Sequence, residues 1–203
     1  MLPTSFKRTI SIAAILVLAG LSTWAEDGAE IPFSLPTPDG WRTETIPFPL
    51  GFAPELDYTG LEELRFAPGM FTAGAEDYWS YAFVWWIPLG TDPGVERLQA
   101  DLEAYFFGLT RVVARSNGFD PGNPTYEARL SRIDGTEPAR LRGRVLTFDA
   151  FAARKAVELN VRVDNVPCET EGQRALVFLL SPQPEDHAVW LSLQKIRDGF
   201  RCD

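Results

Sequence analysis

Tyr78-Trp-Ser-Tyr-Ala-Phe-Val-Trp-Trp-Ile-Pro-Leu89 is the most apolar and most aromatic stretch outside the leader. At a strand's period of two, Trp79, Tyr81, Phe83, Trp85 and Ile87 share one face. Tyr78, Ser80, Ala82, Val84 and Trp86 share the other, with small residues at its centre. Large rings bury about 150–250 Å² each, so the bulky side reads as the floor of the core. The small-residue side leaves room for packing or for a ligand groove.

An amphipathic helix follows. Asp92-Pro93 supplies an N-cap acceptor and a proline for the first helical position. Val95, Leu98, Leu102, Tyr105, Phe106, Leu109, Val112 and Val113 then recur at helical spacing, and Ser116-Asn117-Gly118 ends the run. About 20 residues at 1.5 Å rise span some 30 Å, the width of several strands.

On the N-terminal side, Trp41 to Pro47 and Leu61 to Ala67 read as strands. Between them, Pro47-Phe-Pro-Leu-Gly-Phe-Ala-Pro54 is a loop carrying Phe48, Leu50 and Phe52. On the C-terminal side, Tyr126 to Ile133, Ala139 to Phe151, Lys155 to Asp164, Arg174 to Leu180 and Ala188 to Ile196 read as strands on short connections. Short connections imply antiparallel pairing. The fold class is therefore α+β, a mostly antiparallel curved β-sheet with one long amphipathic helix packed on one face.

Residues 1–25 have the layout of a cleaved secretory signal peptide. Lys7 and Arg8 precede an apolar run from Ile10 to Gly20, and Thr23 and Ala25 stand at −3 and −1. The run is shorter than the about 20 residues of a membrane span, so no transmembrane segment is expected once the signal is removed. Residues 26–40, with prolines at 32, 36 and 38, form an extended lead-in, and 41–203 a single domain. The location implied is secreted or periplasmic. In an oxidising compartment Cys168 and Cys202 read as a disulfide that closes a loop of about 34 residues and stabilises by roughly 3–4 kcal/mol.

Without the leader the chain carries 17 basic and 28 acidic residues, a net charge of −11. Residues 26–110 hold the whole excess, with 3 basic against 15 acidic. That balance disfavours nucleic acid and anionic membrane surfaces as partners. His187 is the single histidine, which leaves no multi-histidine metal site. Nucleophile-elbow, phosphate-loop, dinucleotide and calcium-loop motifs are absent, so no metal or cofactor is expected and no catalytic residue is assigned. His187 follows Glu185 and Asp186 in a turn and reads as a surface residue.

Two residue sets remain as candidate sites. The first is a ligand groove of Trp79, Ser80, Tyr81 and Ala82, rimmed by Glu76 and Asp77 and flanked by Phe48 and Phe52. The second is Arg140, Arg142 and Arg144, which project from one strand face. They can hold an anion through paired guanidinium bonds, or form a cross-strand ladder with Glu158, Asp164 or Glu127. The working expectation is a non-catalytic accessory protein binding a small apolar or sugar-like ligand or a protein partner. The alternatives are a glycan-type hydrolase using Glu76 or Asp77, which needs a second carboxylate across a cleft, and a purely structural or interaction protein.

Overall fold

The computed structural model describes residues 31–136 and 139–202. The leader and the first residues of the lead-in lie outside the described residues. Pro32–Asp203 forms a compact unit.

Seven antiparallel strands make the main sheet: β2 (Arg42–Pro47), β3 (Leu61–Phe66), β4 (Tyr81–Pro88), β5 (Glu127–Arg132), β6 (Arg140–Asp149), β7 (Lys155–Cys168) and β8 (Gln173–Ser181). Their spatial order is β2-β3-β4-β8-β7-β6-β5, so β4 and β8 lie at the centre. The long helix, α1 (Val95–Ser116), carries the chain from central β4 to the far edge at β5. The α+β architecture expected from the periodicity is the one observed.

The bulky side of β4 meets α1. Tyr81, Phe83, Trp85 and Ile87 join Leu176, Phe178 and Leu180 of β8 and Leu159, Val161 and Val163 of β7 beneath Leu98, Leu102, Tyr105 and Phe106. Phe83 stacks on Phe178 at 4.4 Å and on Tyr105 at 5.6 Å. Gly108 lets the helix approach the Phe48–Phe52 loop, since a Cβ there would lie 1.8 Å from the Phe52 carbonyl oxygen. Strand geometry begins only at Tyr81. Trp79 has φ 51°, yet its ring still lies in the core.

Three local readings are corrected. Ala188 to Ile196 is not a strand: α2 (Val189–Asp198) occupies it, burying Val189, Trp190, Leu193 and Ile196. Those four are one helical stripe, with Lys195 and Arg197 in the last turn, where the helix dipole favours cations. Second, Asp92 does not cap α1. The N-cap is Gly94 without a side-chain bond, because the Asp92 carboxylate accepts the Asn165 side-chain amide at 3.1 Å and pairs with Arg174 at 3.4 Å. Third, the extended lead-in contains an element of its own. Its β1 (Phe33–Ser34) pairs with β9 (Arg201–Cys202), and Phe33 is buried between Trp86 and Phe200. Cys168 and Cys202 are joined beside this pair, with Cα atoms 5.6 Å apart.

Candidate functional site

The aromatic strand has no open side. Trp79, Ser80, Tyr81 and Ala82 are all at most 2% exposed. The small-residue face that the sequence leaves open for a groove is covered by α2, which packs on β8 and β4. Its centre is closed by a hydrogen bond between the Ser80 and Ser181 hydroxyls at 2.8 Å. Phe48 is buried edge-on against Trp85 at 6.0 Å, and Phe52 packs edge-on against Tyr105 at 5.1 Å. Five of these six positions are buried, and Phe52 packs half-buried against the core.

Glu76 and Asp77 stand in different surroundings. The Asp77 carboxylate accepts the Gly69 N–H at 2.9 Å and closes its own loop. Glu76 is exposed, and its contact with the fold is a carbonyl that accepts the Gln183 side-chain amide at 2.8 Å. His187 turns its Nδ1 back onto the Val189 N–H at 3.2 Å, at the start of α2. None of the three lines the depressions described below.

A buried acid does occur, on β3. Strand parity puts Glu62 with Leu64 on the α1 side and Glu63 with Arg65 on the α2 side. Glu63 is paired there with Arg65 and Thr45. Glu62 is fully buried, and one oxygen accepts the Trp85 indole N–H at 3.1 Å while the other has no partner. Burial pushes its carboxyl up to about 8, against the downward pull of the Trp85 and Tyr105 side chains, so it is a neutral acid at pH 7. No described cavity reaches it, which makes it a feature of the core.

The open chemistry lies on the α2 side of β5, β6 and β7. A ten-residue α2 is too short to cover the whole width of the sheet, so the polar faces of the outer strands stay exposed. Arg140 pairs with Asp164 at 3.5 Å, and Arg197 of α2 joins the same carboxylate. Arg144 pairs with Glu158 at 2.9 Å. Two of the three arginines are thus rungs of a cross-strand ladder.

Arg142 differs. Its register partner on β7 is Arg162, so two like charges stand directly opposite. Arg162 is held by Glu185 and by the Gln194 side-chain oxygen at 3.4 Å, with its guanidinium 5.2 Å over the Trp190 ring. The Arg142 guanidinium has no ion pair or side-chain hydrogen bond among the described residues. Two adjoining depressions of about 230 and 610 Å³ meet at Arg142 and Glu185. One runs along α2, and the other opens past Glu158 and Asn160 to the Pro182–Pro184 turn. The sequence shows the arginine row but not which member lacks a carboxylate, because that depends on the β6–β7 register.

Fold and site together define a sheet-and-helix domain with one face sealed by a long helix and an arginine-bearing half-face open. No protein family and no curated protein matches the sequence. One solved structure that resembles the chain is that of the Saccharomyces cerevisiae Ran-binding protein Mog1p, 13% identical over 84% of this chain and 90% of that one, with a TM-score of 0.39. A likeness at that level transfers neither a partner nor a location.

The reading as an accessory protein that takes an apolar or sugar-like ligand at the aromatic strand is corrected by the geometry of that strand. The residues that groove needed are packed into the fold, and the Asp77 carboxylate is engaged by the Gly69 N–H of its own loop. Residues 1–25, on which the secreted or periplasmic reading rests, lie outside the described residues. The Cys168–Cys202 pair is a feature of the fold and not an argument for an exported protein. Among the described residues, no helix is long and apolar enough to cross a membrane.

Proposed function

We propose that the protein is a non-catalytic partner-binding domain that docks an acidic protein segment on the open half-face of β6 and β7. Arg142 carries the reading. It is an exposed guanidinium facing Arg162 across the strand pair, with no carboxylate of its own among the described residues. Like charges directly opposite are destabilising, so an anionic group placed between the two is stabilised by both. Arg162 is already held in place by Glu185, Gln194 and the Trp190 ring, which lowers the ordering cost of binding. The chain carries a net charge of −9, so long-range repulsion opposes acidic partners elsewhere on its surface and makes this patch selective. Charge complementarity defines the partner, and the likeness to Mog1p contributes nothing to that choice.

The test is fluorescence anisotropy of a labelled glutamate-rich peptide of about ten residues, titrated with the folded protein at low and at physiological salt. Saturable binding that weakens with salt, and that drops about tenfold or more in Arg142→Glu, supports the reading. Trp190 emission should change with occupancy. Absence of binding at low salt, or equal binding by Arg142→Glu, overturns it.

A further inference from the structure

On the opposite side of the sheet, beside the start of α1, a depression of about 210 Å³ lies apart from the arginine row. We propose that it is a binding site for a small monocarboxylate with a short apolar tail. Its walls are Leu98 of α1 with Leu141 and Leu176 of the sheet, and its polar residues include Arg132, Arg174 and Asp92. Leu98, Leu141 and Leu176 belong to the core cluster and line this depression with it. They present apolar side chains to a space somewhat larger than the about 150 Å³ cavity that holds benzene. A tail of about six carbons is of matching size.

Charge selects the head group. Arg174 is the fixed cation of the pocket: it pairs with Asp92 at 3.4 Å and is bonded to Asn165, and its Nε has no hydrogen-bond partner. Arg132, the second cation, has no ion pair or side-chain hydrogen bond among the described residues. Against Asp92 the two arginines leave one net positive charge, at Arg132. A monocarboxylate neutralises that charge and presents two acceptor oxygens to a planar fork. A neutral alcohol leaves it uncompensated, and a dianion adds a second negative charge beside Asp92. This site is independent of the acidic-partner reading, since Arg142 and Arg162 lie on the other face of the sheet.

The probe is sodium hexanoate, titrated by calorimetry and by saturation-transfer NMR, with hexan-1-ol, acetate and succinate as comparisons. The expected result is saturable hexanoate binding in the millimolar range or tighter, with each comparison at least about tenfold weaker. Arg132→Gln should lose about tenfold, the change that follows removal of one charge-assisted bond. Ala139→Phe, placed in the lining, should block the pocket and abolish binding. Arg142→Glu should leave hexanoate binding unchanged, so that failure here and failure of the partner reading are distinguishable. The proposal is overturned by no saturable hexanoate binding to the folded wild type, by equal affinity for hexan-1-ol, or by binding that survives both pocket variants.

Discussion

Trp85 donates its indole N–H to Glu62 at 3.1 Å across the β3–β4 pair, placing a carboxyl in the centre of an aromatic core. The two are direct register partners, so strand pairing and not a loop sets this contact. Burial holds the acid protonated up to about pH 8. In the unfolded chain a glutamate titrates near pH 4.3. The native state therefore binds the extra proton between those values, and stability is full below about pH 4 and declines as pH rises through about 8. The slope is about 1 kcal/mol per pH unit, a few kcal/mol over the window. Glu62→Gln keeps the acceptor for Trp85 and removes the titration. Urea melts at pH 5, 7 and 9 should show it close to the wild type at pH 5 and progressively more stable above; parallel profiles would refute the assignment.

Asp149 gives the opposite limb. Burial raises its carboxyl, but the Tyr78 hydroxyl and the Ala153 and Ala152 N–H groups outweigh burial and hold it below its usual value. Stability from this group is present above about pH 4 and is lost as pH falls through the lowered value. Tyr78→Phe should cost about 1–2 kcal/mol at pH 7 and less at pH 2, read from thermal melts. An equal loss at both pH values would show that the hydrogen bond is not the cause.

Arg142 faces Arg162, so its removal should separate stability from binding. Arg142→Thr relieves the repulsion and should leave the fold as stable or up to about 1 kcal/mol more stable. Acidic-peptide affinity should fall at the same time. Denaturant melts and anisotropy on one preparation check both, and a destabilised variant would mean that Arg142 has a structural partner after all.

The edge of the sheet at β5 is guarded by the helix. Gln99 and Glu103 of α1 accept the Leu130 and Ala128 N–H groups at 2.8 and 2.9 Å. Exposed strand edges template pairing between chains. The double variant Gln99→Ala/Glu103→Ala should lose about 1–3 kcal/mol and associate as concentration rises, seen by size-exclusion chromatography with light scattering. A monomer at every concentration would remove the edge-guard role.

Gly108 is needed for close approach rather than for backbone freedom. A Cβ there would lie 1.8 Å from the Phe52 carbonyl oxygen, with the Ala53 nitrogen behind it. Gly108→Ala gains helix propensity of about 1 kcal/mol but must move the loop. A net loss of about 2 kcal/mol or more in denaturant melts is expected; a stabilised variant would show that the loop is free to move.

Much of the architecture is set by local pattern. The period-two alternation of Tyr81 to Ile87, and the helical stripe through Leu98, Leu102, Tyr105 and Phe106, each follow from a side-chain repeat that neighbouring residues fix between themselves. The repeat separates a bulky from a small-residue side of the aromatic strand, and which of the two meets the helix is decided by the tertiary structure. The repeat does not distinguish strand from helix over Val189 to Ile196, where a short run of mixed polarity satisfies both periods and the apolar floor on β4 and β8 decides. That covering helix turns Ser80 and Ala82 from a ligand groove into core.

The sites depend on tertiary contacts. Asp92 is an N-cap by position, yet Asn165 and Arg174 draw it away, and both are more than seventy residues distant in the chain. Arg140, Arg142 and Arg144 are equivalent along β6, and the β7 register gives Asp164 and Glu158 to the outer two while placing Arg162 opposite the middle one. Periodicity acts over a few residues, whereas ion pairing and pocket walls depend on strand register and helix placement, which are settled only when the whole sheet assembles.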